Sequence, residues 1–163
     1  MTRPIINLDE LELQALPAAY AASGAAAQRY APRIAMVGAQ LGARQLGYNV
    51  ISLAPGMRAF PFHNHRVNEK MFFVIAGSGE LRIGERRYPL RAGDIVACPA
   101  GGAETAHQLI NTSDAELRYM AVSTQMAPEI AEFPDSGKYS VMDGQGRRII
   151  GKQGVSLDYW DGE

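Results

Sequence analysis

Gly56-Met57-Arg58-Ala59-Phe60-Pro61-Phe62-His63-Asn64-His65-Arg66-Val67-Asn68-Glu69-Lys70-Met71-Phe72-Phe73-Val74-Ile75-Ala76-Gly77 is the most telling stretch of the chain. It places two histidines, one residue apart, at the foot of an apolar run. Side chains on an extended backbone repeat every second residue, so an H-x-H pair sends both imidazoles to one face. The third and last histidine, His107, follows a second stretch, Gly93-Asp94-Ile95-Val96-Ala97-Cys98-Pro99-Ala100-Gly101, which runs on to Asn111. Two same-face imidazoles and a third from a neighbouring strand can form a facial three-nitrogen site for a divalent transition metal. Taken alone, an H-x-H pair is as readily a surface or core feature as a ligand pair. The surrounding pattern decides between them.

Working outward, short β-like runs dominate from 47 to 124. Run 47–53 comes first. Run 71–75 is apolar throughout, as expected of a strand buried on both faces or against a second sheet. Runs 80–83 and 87–91 flank Gly84-Glu85-Arg86, which reads as a hairpin turn. Runs 94–98, 106–110 and 117–123 complete the series. Strands at this spacing favour a sandwich or barrel over a helical or parallel α/β design.

The flanks read differently. Residues 5–8 suit a short strand, and 9–16 have helical character ending at Pro17. The alanine-rich 18–27 segment reads as a loop or marginal helix, because its polar and apolar faces are poorly defined. The last 35 or so residues form a turn-rich arm with occasional strand residues. Tyr159 and Trp160 near its end are expected to dock on something, since exposed aromatics are uncommon.

Length and composition bound the rest. A chain of 163 residues with a formal net charge of −1 is expected to be a single domain with no basic field for nucleic acid or anionic lipid. With 47% hydrophobic and 20% charged residues, it has the make-up of a soluble globular protein. No apolar run approaches the length of a membrane span. The start of the chain, with Asp9, Glu10 and Glu12, lacks a basic-then-apolar signal pattern. The single cysteine, Cys98, excludes an internal disulfide framework. These features together predict a cytoplasmic protein.

Gly56, His63, His65, Gly77, Gly93, Pro99, Gly101, His107 and Asn111 occur in the order of the two motifs of the cupin superfamily, which the chain resembles over 47–124. The resemblance implies an all-β cupin double-stranded β-helix, a jelly-roll barrel, filling a single domain 1–163. Its parts are an N-terminal arm (1–45), the barrel motifs (46–125) and a C-terminal arm (126–163). The tail Pro134-Asp135-Ser136-Gly137-Lys138 and the terminal Asp158-Tyr159-Trp160-Asp161-Gly162-Glu163 are similar to those of a little-characterised bacterial group of small cupins. Members of that group carry the label sugar-phosphate-isomerase-like. Arms of this kind often pack on a second subunit, so a homodimer is expected, which would also cover open sheet edges.

Three departures from the family pattern stand out. His63 lies one residue further from Gly56 than usual, and three extra residues precede His107. The position of the family's glutamate ligand falls on Lys70 counted back from Gly77, and on Glu69 counted forward from His65. Neighbouring strand residues face opposite ways, so only one of the two can point inward on a regular strand. Three readings stay open here. A bulge turns Glu69 inward to give a site of His63, His65, Glu69 and His107. Alternatively Lys70 faces the cavity beside a three-histidine metal, where ammonium and metal repel. In the last, the metal is lost and Lys70 binds polar or anionic groups. Glu104, on the inserted turn, is a candidate substitute carboxylate.

The implied function is that of a metal-binding cupin, an enzyme acting on a small polar molecule such as a sugar or sugar phosphate. The divalent metal would be zinc, iron, manganese or nickel, acting as a Lewis acid. All three histidines are spoken for, so the catalytic base would come from Glu69, Glu104, Lys70 or a tyrosine such as Tyr48 or Tyr119. The alternatives are a thiol-type non-haem iron dioxygenase, which a three-histidine site resembles, and a non-catalytic small-ligand-binding cupin. Asn111 and Asp94 read as turn residues. Cys98 reads as a buried small hydrophobe, and Phe60, Phe62, Phe72 and Phe73 mainly as core. Arg82, Arg86, Arg87 and Arg91 read as a solvated face, with Arg58 a candidate phosphate contact.

Overall fold

The computed structural model describes residues 4–154, 156 and 158–162. Among the described residues thirteen strands, all paired antiparallel, account for almost all of the regular structure. They are β1 (Gln14–Ala15), β2 (Arg33–Ala35), β3 (Leu46–Leu53), β4 (Asn64–His65), β5 (Lys70–Ala76), β6 (Ser78–Ile83), β7 (Arg86–Arg91), β8 (Ile95–Cys98), β9 (His107–Ile110), β10 (Leu117–Thr124), β11 (Glu129–Phe133), β12 (Lys138–Met142) and β13 (Arg148–Lys152). Six strands form one sheet in the order β1-β2-β3-β10-β5-β8. A second sheet runs β7-β6-β9, and a third runs β13-β12-β11-β4. Strand β10 crossing back between β3 and β5 is the mark of the double-stranded β-helix.

The core lies between the first two sheets. Ile51, Leu53, Phe72, Val74, Leu117 and Tyr119 from the six-stranded sheet meet Leu81, Leu90 and Leu109 from the three-stranded one. Each such side chain contributes on the order of 1.5–3 kcal/mol on leaving water. Strand β5 alternates: Phe72 and Val74 are buried, whereas Met71 and Phe73 are more than a third exposed on the outer face. Of the two expectations for 71–75, burial against a second sheet holds and burial on both faces does not, and Phe73 is not core.

The N-terminal arm covers part of that outer face. Ala35, Val37 and Val50 are buried there with Leu11, Leu13, Leu41 and Tyr48 packed against them. The arm's own elements differ from those expected. Residues 5–7 form no strand, and Asn7 instead caps a 3-10 turn over Leu8–Glu10. The helical character expected of 9–16 shrinks to that turn, because Gln14 and Ala15 are drawn into pairing with Ile34 and Arg33. The alanine-rich segment is a turn followed by a short 3-10 helix over Gly24–Gln28.

The C-terminal arm is more regular than its composition suggests. β11, β12 and β13 form a meander, and β11 pairs with β4, so this sheet reaches the H-x-H segment. Tyr159 and Trp160 do not dock on the body. They are 85% and 71% exposed and pack edge-on against each other.

Candidate metal centre

The backbone brings the histidines together before any side chain is considered. Residues 57–63 run antiparallel beside β9. The Ala59 N–H donates to the Leu109 carbonyl at 3.2 Å, and the Asn111 N–H to the Met57 carbonyl at 2.9 Å. At the end of this run His63 and His107 form a cross-strand pair, each N–H donating to the other's carbonyl at 3.3 and 2.8 Å. Directly opposed residues hold their side chains close, and the two rings are 4.8 Å apart at their centroids. His65, two residues on, shares the face of His63, with ring centroids 5.0 Å apart. Asn64 between them points the other way, fully buried, donating to the Gly101 carbonyl and to Glu132, both at 2.9 Å. One ligand nitrogen from each of His63, His65 and His107 lies within 4.8 Å of the others.

These residues fit a metal. Nδ1 of His63 is 2.7 Å from the Pro61 carbonyl, and Nδ1 of His107 is 3.2 Å from the Thr105 carbonyl. Hydrogen bonds there fix the tautomer that leaves Nε2 free to coordinate. Both ring nitrogens of His65 and Nε2 of His107 are buried without a hydrogen-bond partner. A buried polar atom without a partner is costly, and a bound cation would remove that cost. A metal at about 2.1 Å from each nitrogen needs them closer than they lie, a contraction that small ring rotations supply.

Burial keeps the three rings neutral, as metal ligation requires. Desolvation, and then the nearby Lys70 charge, lowers His65 to about 3 and His107 to about 4, and holds His63 well below the ordinary imidazole value.

The fourth position resolves through strand register. Lys70 pairs with Ser123 on one side and Cys98 on the other, and shares the inward face with Phe72 and Val74. Burial lowers its pKa, against the opposing influence of Cys98 and Glu129. Glu69 is exposed, its N–H donating to the Thr124 hydroxyl at 3.2 Å. The bulge that would turn Glu69 inward is not formed, and Glu69 lies outside the histidine cluster. Glu104 is also outside it. Its carboxylate folds back onto the Gly102 N–H at 2.8 Å, and its backbone hydrogen bonds hold it below the usual carboxylate range.

A carboxylate that the sequence reading passed over, Glu129 at the start of β11, does reach the site. Its Oε2 is 3.5 Å from Nδ1 of His65. It accepts from the N–H groups of Arg66, Val67 and Asn68 at 3.2, 3.2 and 2.9 Å, and from the Asn68 side-chain amide. It makes no hydrogen bond to the ring at that distance, since Nδ1 of His65 has no such partner, but it stands where a carboxylate behind a ligating histidine would be placed. The only available signal was a lone acid in an arm read as irregular.

Beside the histidines lies a cavity of about 170 Å³. His63, Lys70, His107, Asn49 and Ser123 form its polar wall, and Phe60, Phe72, Ile51, Leu109 and Tyr119 are among its apolar residues. Tyr119 therefore reaches the cavity, its hydroxyl kept protonated by burial, whereas Tyr48 packs under the N-terminal arm. Cys98 is buried, its thiol pushed up to about 12 mainly by desolvation. Arg82 is not simply solvated. It makes a two-point ion pair with Asp135 and lies 3.7 Å over the Phe62 ring.

A double-stranded β-helix with three clustered histidines at one end is an arrangement that could hold a metal ion. A family model, the cupin domain, matches residues 49–123. Among solved structures, a sugar phosphate isomerase from a cupin superfamily of Silicibacter pomeroyi superposes with a TM-score of 0.80 at 25% identity, over 96% of this chain and 98% of that one. A protein of Acidithiobacillus ferrooxidans, provisionally named for the same activity, gives 0.78 at 18% identity, over 94% and 96%. A predicted oxalate decarboxylase of Thermotoga maritima gives 0.58 at 17%, over 75% and 99%. No curated protein matches. Residues 49–123 of the chain form a cupin domain.

Proposed function

We propose that this cupin binds a divalent transition metal through His63, His65 and His107 and acts as a metal-dependent enzyme on a small molecule held in the adjoining cavity. The observation that carries this reading is the buried, unpaired Nε2 of both His65 and His107 beside His63. When bound, the metal would supply Lewis acidity, polarising a carbonyl or hydroxyl oxygen of the ligand. The chain's own residues orient His63 and His107 from behind, through the carbonyls of Pro61 and Thr105, and exclude water with an apolar wall. Metal analysis of protein purified without added metal, alongside the His63→Ala variant, tests the reading. Metal is expected in the first and absent from the second.

The names of the S. pomeroyi and A. ferrooxidans proteins favour a sugar-phosphate isomerase. That reading needs a proton carrier, and among the described residues no carboxylate lines the cavity. Neither Glu69 nor Glu104 reaches it, so Lys70 would have to serve. A second reading, a three-histidine iron dioxygenase of the thiol type, is favoured by the ligand set itself, which lacks a carboxylate. Bound iron with oxygen uptake on small thiols would select the dioxygenase. Zinc, manganese or nickel without oxygen uptake would select the isomerase class or a binding protein.

A homodimer belongs to the same proposal. Met71, Phe73 and Ile95 lie side by side on the outer sheet face, with Phe73 opposite Ile95, and Ile95 is 73% exposed. Such rows are unfavourable in water, and light scattering measures whether a second copy covers them. No helix among the described residues is long and apolar enough to cross a membrane.

A further inference from the structure

One row of the six-stranded sheet carries chemistry that the metal centre does not use. Reading inward-facing positions across the strands, Gly47, Ser123, Lys70 and Cys98 stand in register, with Asn49, Ala121, Phe72 and Val96 in the next row down. Lys70, Ser123 and Asn49 all line the cavity shared with His63 and His107. Among the described residues, none of these three side chains makes a hydrogen bond or ion pair within the protein. Gln108, on the facing wall, is already committed to the Phe60 carbonyl at 2.7 Å. The cavity therefore presents an ammonium, a hydroxyl and an amide without partners, opposite the histidine nitrogens.

Charge decides what such a wall takes. The histidines are neutral, and among the described residues no carboxylate lines the cavity. Glu129, the acid acting on Lys70, is already bound by the N–H groups of 66–68. A divalent cation beside the Lys70 ammonium would leave an uncompensated positive site, which is expensive in a buried setting unless an anion joins it. Size and lining narrow the anion. A dry protein cavity of about 150 Å³ is filled by a molecule of benzene's bulk, so a space of about 170 Å³ takes a comparably small ligand. It is too small to enclose a hexose phosphate. Phe60, Phe72 and Leu109 suit a short hydrocarbon body rather than a polyol.

We propose that the cavity binds a small organic carboxylate, its acid group held by Lys70 with Ser123 and Asn49 while its other end lies toward the histidine nitrogens. This rests on the metal-centre reading and names the ligand class for it. The proposal makes a paired demand. Lys70 repels the metal and attracts the ligand, so replacing it with a neutral side chain of similar length should move the two affinities in opposite directions.

The test is calorimetric titration of the full chain with zinc, and of the zinc-loaded protein with pyruvate, its uncharged amide and inorganic phosphate. Pyruvate is expected to bind at least about tenfold more tightly than the amide, in line with the cost of losing one charged contact, and more tightly than phosphate, which has no hydrocarbon body to meet Phe60, Phe72 and Leu109. In Lys70→Met, zinc is expected to bind more tightly and pyruvate at least about tenfold more weakly. Ser123→Ala, should Lys70→Met fail to fold, is expected to weaken pyruvate severalfold and leave zinc unchanged. Equal binding of pyruvate and amide, a preference for phosphate, or pyruvate affinity unchanged in either variant would overturn the proposal. If zinc does not bind wild type, the metal reading fails on its own. Pyruvate binding to the metal-free chain that is lost in Lys70→Met would still support the carboxylate site, and its absence would overturn it.

Discussion

Oε2 of Glu129 lies 3.5 Å from Nδ1 of His65, linking the C-terminal sheet to the histidine cluster. The same carboxylate ties down the N–H groups of Arg66, Val67 and Asn68, so one buried acid lies beside a ligand and closes the loop after it. Glu129→Gln turns an acceptor-only group into one that presents N–H toward other donors. A loss of about 1–3 kcal/mol in stability and about 10–100-fold in metal affinity is expected, read by denaturant melts and by zinc titration.

Asn111 tests the frame without touching the site. Its side-chain amide donates to the carbonyls of Leu53 and Ala115 at 2.8 and 2.7 Å, and its oxygen accepts from the Ser113 N–H at 3.0 Å. Asn111→Ala strands a buried carbonyl and should cost about 2 kcal/mol. Metal stoichiometry should stay unchanged, so a variant that melts like wild type would show that these bonds are not holding the loop.

Gly77 is required by its backbone. It sits at φ +80°, and a Cβ there would run into the Glu116 carbonyl. Gly77→Ala should cost at least about 2 kcal/mol, from the left-handed conformation and from the displacement of 116–117. A thermal melt within a degree of wild type would contradict this.

The metal-free protein should lose stability in mild acid. His65 and His107 titrate near 3 and 4 when folded, against about 6.5 in an unfolded chain. Between those values the unfolded chain binds protons that the folded chain refuses. Stability present above about pH 6.5 therefore drains as the pH falls toward 4. Chelator-treated wild type compared with His65→Gln/His107→Gln should show a steeper decline over that window. Parallel curves would sink the assignment of both rings as buried and neutral.

The barrel was legible because its strands are short β-like runs set off by turn signals, and β3, β5, β6, β7, β8, β9 and β10 all lie where those signals put them. The three-histidine cluster was legible from spacing and motif together. Which of Glu69 and Lys70 faces inward was not, since residues at the mouth of a strand have no pattern of their own. Register decided it, through Ser123 and Cys98 flanking Lys70. The C-terminal meander was missed because Glu129–Phe133 and Lys138–Met142 mix polar and apolar residues, and their pairing is long-range. Glu129 was missed with it. The terminal aromatics do not reach the body of their own chain, where Tyr159 and Trp160 touch each other and stay exposed.

The central claim is most directly tested by elemental analysis of the full chain after equilibration with zinc, iron and manganese and removal of free metal. Close to one ion per chain is predicted for wild type, with loss of that ion in His63→Ala and in His107→Ala. A wild-type protein that remains metal-free, or variants that retain metal at the wild-type level, would contradict the claim.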